Sequence, residues 1–214
     1  MSDFDTENVY EQIANDLRAT GLSIIENAID PSIIQALNER IASLEADTFQ
    51  TAGIGRQNDH EKNAEIRRDK IRWLDKNSQQ EAGYLNAMDD LKDYLNRRLF
   101  MGLFSYESHF AHYEAGAFYK KHLDAFKGKA NRVLTTVFYL NDDWQPQDGG
   151  ELVIFDAEDH EKEHCRVLPK KGTLVTFLSD EFPHEVLAAK KSRYSIAGWF
   201  RINASTAGHI DPPR

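Results

Sequence analysis

The chain has 214 residues, 41% hydrophobic and 29% charged, with a formal net charge of −9. Those proportions suit one soluble globular domain with a sizeable core, and no apolar run approaches the length of a bilayer span. The single cysteine, Cys165, excludes an intrachain disulfide, and the acidic balance argues against general nucleic-acid affinity, which rewards an excess of Lys and Arg.

Met1-Ser2-Asp3-Phe4-Asp5 lacks the basic-then-apolar order of a signal peptide, and one cysteine fits a reducing compartment. A cytoplasmic monomer without membrane contact is therefore expected. Val9, Ile13 and Leu17 recur at helical spacing, and Gly21 is placed to stop that helix. Residues 22–29 are apolar and β-branched and read as a strand. Asp30-Pro31 looks like an N-cap with proline in the first turn of a second helix, which carries Ile33, Ile34, Leu37, Ile41 and Leu44. The polar stretch 51–70 is expected to be a long mobile loop, suited to act as a lid. A third helix over 81–99 has Leu85, Met88, Leu91, Leu95 and Leu99 as its buried stripe. From 101 onward the pattern changes to short runs rich in Val, Ile, Thr, Phe and Tyr, at 106–114, 132–141, 151–155, 173–178, 184–188 and 193–201. Strands without intervening helical periodicity predict a sandwich or jelly roll. The architecture expected is mainly β with flanking helices (α+β): a single domain over 1–202, with 1–100 as helical support, 101–202 as jelly-roll core and 203–214 as a flexible tail.

Within the β half, His122-Leu123-Asp124 places an imidazole and a carboxylate two residues apart, on one face if the segment is extended. His184 opens a later strand. Two imidazoles and one carboxylate can occupy one face of an iron(II) ion and leave the other open to substrate and oxygen. Arg193, nine residues beyond His184, would give a dicarboxylate a bidentate partner. It shares one face of the last strand with Ser195, Ala197 and Trp199; on the strand from 132, Arg132, Leu134, Thr136 and Phe138 alternate with Val133, Thr135, Val137 and Tyr139. Three competitors are weaker. His209-Ile210-Asp211 repeats the His-x-Asp pattern in a proline-flanked tail with no room for a third ligand. His160-Glu161-Lys162-Glu163-His164 matches the H-E-x-x-H pattern of zinc proteases, but in a charge run without the apolar stripe a buried helix needs. His109 and His112 alternate with apolar neighbours and read as structural.

These residues resemble the iron(II)- and 2-oxoglutarate-dependent oxygenases, and among them the prolyl 4-hydroxylase family, in particular bacterial relatives of the hypoxia-sensing enzymes. The resemblance runs from about Gly53 to Arg201. His122, Asp124 and His184 match the family's metal triad, and Arg193 the arginine that holds the distal carboxylate of 2-oxoglutarate. Tyr139 matches a tyrosine contacting that carboxylate, Tyr113 another near the cosubstrate, and Trp199 the tryptophan of the closing strand; Thr135 is placed to line the same pocket. The segment Ile66-Arg67-Arg68-Asp69-Lys70-Ile71-Arg72-Trp73 resembles the one closing the loop over a prolyl substrate. Asp69 and Arg132 match an aspartate–arginine pair linking that loop to the substrate region, although the spacing from Asp124 to Arg132 is one residue longer than in the animal enzymes. Arg67 and Tyr119 are grouped with them as substrate-binding candidates.

The resemblance implies Fe(II) as cofactor, 2-oxoglutarate and O2 as cosubstrates, a supporting role for ascorbate, and hydroxylation of a proline with release of succinate and CO2. It also implies a protein partner carrying the target proline, with elongation factor Tu as the natural candidate in bacterial relatives. Other readings remain open: a 2-oxoglutarate oxygenase of small molecules or nucleic acid, a zinc metalloprotease using His160 and His164, and a non-catalytic jelly-roll binding module. The nucleic-acid demethylases carry a second arginine six residues after the first, where this chain has Trp199.

Overall fold

A computed structural model describes residues 4–53, 64–125 and 131–203. Asp5 accepts a hydrogen bond from the Asn8 amide (3.1 Å) and opens α1, Thr6–Thr20. Gly21 ends it in the left-handed conformation (φ 76°), where a Cβ would come within 2.8 Å of Leu178. Asp30 caps α2, Pro31–Ser43, through the Ser32 amide at 2.8 Å, with Pro31 in the first turn. The third helix, α3, spans Gln79–Leu99 and buries Tyr84, Leu85, Met88, Leu91 and Leu95. All three follow the periodicity of the sequence. Among the described residues no helix is long and apolar enough to cross a membrane.

Eleven strands form two antiparallel sheets among the described residues. They are β1 (Leu22–Ile25), β2 (Gln50–Thr51), β3 (Lys70–Trp73), β4 (Ser105–Tyr113), β5 (Tyr119–His122), β6 (Arg132–Tyr139), β7 (Leu152–Phe155), β8 (Glu163–Val167), β9 (Leu174–Leu178), β10 (His184–Val186) and β11 (Arg193–Arg201). The larger sheet runs β1-β9-β6-β11-β4-β3-β2 and the smaller β5-β10-β7-β8, a jelly-roll core with helices against one face. Leu134 and Phe138 of β6, Phe110 of β4 and Ile196 and Phe200 of β11 pack toward the helices. The alternate residues Tyr139, Val175 and Phe177 face Leu152 and Ile154 of the smaller sheet. The candidate site lies between the sheets, on that second face.

Several expectations need correction. The strand after α1 stops at Ile25, because Asn27 turns the chain with φ 53° before the Asp30 cap. Strands β2, β3, β5 and β8 fall outside the predicted runs; they are short and, in β3 (KIRW), β5 (YKKH) and β8 (EHCRV), too charged to show alternation. Residues 54–63 of the expected mobile loop and the tail from 204, with its His209-Ile210-Asp211 repeat, lie outside the described residues. The loop's end is pinned. The Arg68 amide donates to Phe118 and Lys120 donates to Ile66, at 3.0 and 2.9 Å, so 66–68 extends the smaller sheet beside β5, while β3 joins the larger sheet. Asp69, 1% exposed, sits at the crossover.

Glu81 holds the helical layer to the sheet. Its side chain is wholly buried and accepts from Arg40 of α2 and Arg72 of β3, both at 2.8 Å, and from the Asp75 amide at 2.6 Å. Glu81→Ala leaves two guanidinium groups facing a buried gap. It is expected to lower unfolding stability by about 3–5 kcal/mol, read as a lower urea midpoint at unchanged m-value.

Candidate active site

His122 ends β5, Asp124 follows in a bend, and His184 begins β10 directly opposite His122. Asp124 is thus not a strand residue: β5 stops at His122, and the bend, not the two-residue strand period, swings the carboxylate round to the imidazoles. One ligand atom from each residue lies within 4.8 Å of the others. Nε2 of His122 is 3.7 Å from Asp124 Oδ1, and Nε2 of His184 is 3.5 Å from Oδ2. Each histidine hydrogen-bonds through Nδ1 to the carbonyl two residues before it, His122 to Lys120 (2.8 Å) and His184 to Phe182 (3.1 Å). A carbonyl only accepts, so both Nδ1 atoms carry hydrogen and both Nε2 lone pairs face the centre. Thr135 donates to Asp124 Oδ2 at 2.8 Å and touches Ser179 at 2.9 Å, fixing the carboxylate. Burial, then the neighbouring His184, pushes the His122 imidazole down to about 4. For Asp124 burial acts upward, but His184, His122 and Arg132 together hold its carboxyl well below the usual carboxylate range. A His122 imidazole held neutral beside an ionised carboxylate matches the protonation states a divalent metal requires of such ligands.

The second half of the site is a buried cation. Arg193 opens β11 opposite Tyr113 of β4, and Ser195 pairs with Tyr139 of β6. The guanidinium carbon lies 4.2 Å from the Tyr113 ring centroid and 5.9 Å from that of Tyr139. Arg193 is 1% exposed; its Nε and Nη1, and the Tyr139 hydroxyl, have no hydrogen-bond partner among the described residues. Burial pushes the Tyr139 hydroxyl up to about 12, with Arg193 pulling the other way. An arginine buried without a counter-charge is costly, and it becomes favourable when an anion fills the gap. Arg193 and Tyr139 therefore fit one carboxylate of a small dicarboxylate, while the metal ligands face the same inter-sheet space. Gly150, absent from the candidates, completes the cradle: at φ 76° its missing Cβ would lie 2.7 Å from Ala189 and 3.5 Å from Arg193 Cδ. The Gly149-Gly150 pair was its only sequence signal.

The expected pairing of Asp69 with Arg132 does not form. Arg67 donates to both carboxylate oxygens of Asp69, at 2.7 and 2.5 Å. Arg132 instead donates Nε and Nη2 to Glu107 at 3.0 and 2.8 Å and stacks 3.6 Å over Trp199. The cause is a register irregularity: Phe200 opposes Leu134, but Arg201 opposes Arg132. The extra residue in β6 turns Arg132 away from the face of Leu134, where alternation placed it, and toward Trp199 and Glu107. Glu107 carried no motif and was missed. Tyr119 stacks on His122 and beneath Arg67, beside the metal ligands. The H-E-x-x-H reading fails, since His160 lies in a hairpin turn and His164 in β8, with no helix to bring both rings to one face.

His109 is no part of the ligand cluster, as its alternation suggested, but its ring sits between Trp73 and Trp199, centroids 5.3 and 5.5 Å away. Burial above all pushes its pKa down to about 4, partly offset by Asp69. An unfolded histidine binds its proton near pH 6.5, so between pH 6.5 and 4 the unfolded chain holds more protons and stability falls as the pH falls. The loss is on the order of 3 kcal/mol across that window. Urea unfolding at several pH values is expected to show this slope, reduced in His109→Leu.

Residues 108–201 match the family described as the 2OG-Fe(II) oxygenase superfamily. A prolyl-4-hydroxylase of Pseudomonas putida, solved by crystallography, is 39% identical, with a TM-score of 0.81 over 90% of this chain and 99% of that one. A Trichoplax adhaerens prolyl hydroxylase, solved with a peptide fragment of the hypoxia inducible factor oxygen degradation domain, is 27% identical, with a TM-score of 0.77 over 92% of this chain and 90% of that one. Human Egl nine homolog 1 is 28% identical over 202 residues, covering 89% of this chain and 46% of that protein. The chain spans about half the length of the curated relatives it matches. With jelly-roll topology, a two-histidine, one-carboxylate cluster and this similarity over nearly all of the Pseudomonas enzyme, the chain belongs to the 2OG-Fe(II) oxygenase superfamily, among its prolyl hydroxylases.

Proposed function

We propose that this protein is an Fe(II)- and 2-oxoglutarate-dependent dioxygenase that hydroxylates a prolyl residue of a protein. The observation that carries the reading is the buried Arg193, with Nε, Nη1 and the neighbouring Tyr139 hydroxyl unpartnered among the described residues, facing the inter-sheet space that also holds His122, Asp124 and His184. His122, Asp124 and His184 hold the metal, with Thr135 and the two backbone carbonyls setting their orientation. Arg193 and Tyr139 take the far carboxylate of 2-oxoglutarate, and Tyr113 forms the wall beside it. Fe(II) held by these residues would supply oxidative decarboxylation of 2-oxoglutarate by O2, with one oxygen atom going to succinate, the other to the substrate carbon, and CO2 released. The protein's part is positioning and exclusion of water: Phe177, Ile154 and Leu152 close the inter-sheet space around the bound groups. Ascorbate serves to keep the metal reduced.

Tyr119, stacked on His122, with the Arg67–Asp69 pair over it, and Arg132 are the residues we assign to the prolyl segment, while Trp199, beneath Arg132, is assigned with the cosubstrate pocket. The substrate we favour is a cytoplasmic protein, with elongation factor Tu the candidate carried over from the sequence resemblance alone; the single cysteine, half-buried Cys165, agrees with a reducing setting. Incubation with Fe(II), ascorbate and 2-oxoglutarate, using prolyl peptides and intact elongation factor Tu, is expected to give succinate and a mass gain of about 16 Da on a proline. Succinate coupled to a gain on a nucleobase or free amino acid would overturn the prolyl assignment.

A further inference from the structure

Tyr119 and His122 are three residues apart, a spacing that sends side chains to opposite faces of a regular strand. Here β5 carries an extra residue relative to β10: Val186 opposes Tyr119 while His184 opposes His122. The bulge brings both rings to one side, where they stack with centroids 3.6 Å apart and planes 17° from parallel. The Arg67 guanidinium lies 4.2 Å from the same tyrosine ring. Arg67 is itself fixed, by both oxygens of Asp69 and by the Gly53 carbonyl at 3.3 Å. The Asp69 carbonyl accepts from Ala52 at 3.0 Å, so the segment is tied to the chain on both sides. The His122 Nδ1–Lys120 bond holds one edge of the imidazole. A flat ring packed against it sets the plane, and with it the direction of the Nε2 lone pair.

We propose that Tyr119 and Arg67 are positioning residues for His122, so that metal binding and docking of segment 66–69 between the sheets form one coupled equilibrium. The inference rests on the metal reading above. Coupling is reciprocal: a metal that holds His122 in place favours the docked segment, and the docked segment raises metal affinity by the same factor. The segment that resembles a substrate-closing element would thereby report the state of the metal site through a single phenol ring.

The test uses Mn(II) alone, titrated into the full chain by electron paramagnetic resonance, with hydrogen exchange of residues 66–69 followed in the same samples. Mn(II) is expected to slow exchange across 66–69 in the wild type. Tyr119→Leu is expected to weaken Mn(II) binding about 10- to 100-fold, the range for loss of a supporting contact at a metal site, and to abolish that protection. Tyr119→Phe, which keeps the flat ring, is expected to restore both, and the visible absorption of bound Co(II) is expected to shift in Tyr119→Leu but not in Tyr119→Phe. Wild-type affinity in Tyr119→Leu would overturn the proposal. So would unchanged exchange of 66–69 when the wild type binds metal, a result that depends on no variant folding. Mn(II) binding that survives Asp124→Asn undiminished would instead remove the metal reading itself, and the proposal with it.

Discussion

Asp124→Asn is expected to abolish 2-oxoglutarate turnover and to weaken Mn(II) binding by more than about 100-fold, beyond what losing a supporting hydrogen bond costs at a metal site. The substitution keeps the shape of the side chain and leaves an oxygen to accept the Thr135 hydroxyl, now at 2.8 Å. What it removes is the negative charge set against two imidazole nitrogens 3.7 and 3.5 Å away. Two neutral nitrogen ligands and an amide oxygen neutralise none of the charge of a divalent ion. Succinate release and metal titration read the two consequences separately. The joint replacement His122→Ala with Asp124→Ala removes two of the three ligands, and intact succinate production by that variant would refute the metal assignment.

For Arg193→Met the expected result has two opposite signs. Cosubstrate affinity falls: removing one partner of a buried charge pair costs about 2–5 kcal/mol, so the KM for 2-oxoglutarate rises roughly 30- to 5,000-fold. Without cosubstrate, stability holds or increases, because the wild type buries a guanidinium whose Nε and Nη1 have no partner among the described residues, and methionine has no such demand. Thermal unfolding with and without 2-oxoglutarate checks both. Cosubstrate at about 100 times the wild-type Kd is expected to stabilise the wild type by about 2.7 kcal/mol and the variant by less than about 1 kcal/mol. If Arg193 were a structural cation, the variant would be destabilised in both conditions.

Secondary structure and ligand identity were legible to different depths. Helices α1, α2 and α3 announce themselves through a 3.6-residue apolar period, with Gly21 and the Asp30-Pro31 step as end signals, while the Asp5 cap shows only in the structure. The long strands β4, β6 and β11 show as alternation, and alternation alone put Thr135 and Tyr139 on one face of β6 and Arg193 and Trp199 on one face of β11; the register then makes these the same face of the sheet. Strands β3, β5 and β8 were not visible, since four or five residues with two or three charges carry no period. Yet β5 delivers His122, and β3 follows directly on Asp69.

The amino-acid sequence by itself named the three residues proposed as metal ligands, the arginine proposed for a dicarboxylate and the jelly-roll class, through side-chain chemistry, family resemblance and the strand pattern, while the bend at Asp124 and the pairing of β5 with β10 brought the cluster together. Tertiary structure alone decided which ion pairs form. Asp69 took Arg67 and Arg132 took Glu107, because a bulge near the start of β6 rotated Arg132 toward Trp199 and the chain crossing between sheets placed Arg67 over Tyr119. A second bulge, in β5, stacked Tyr119 on His122. A bulge is a property of two paired strands, and an ion pair belongs to whichever partner the register brings within about 4 Å. Neither is encoded in the order of residues along one segment.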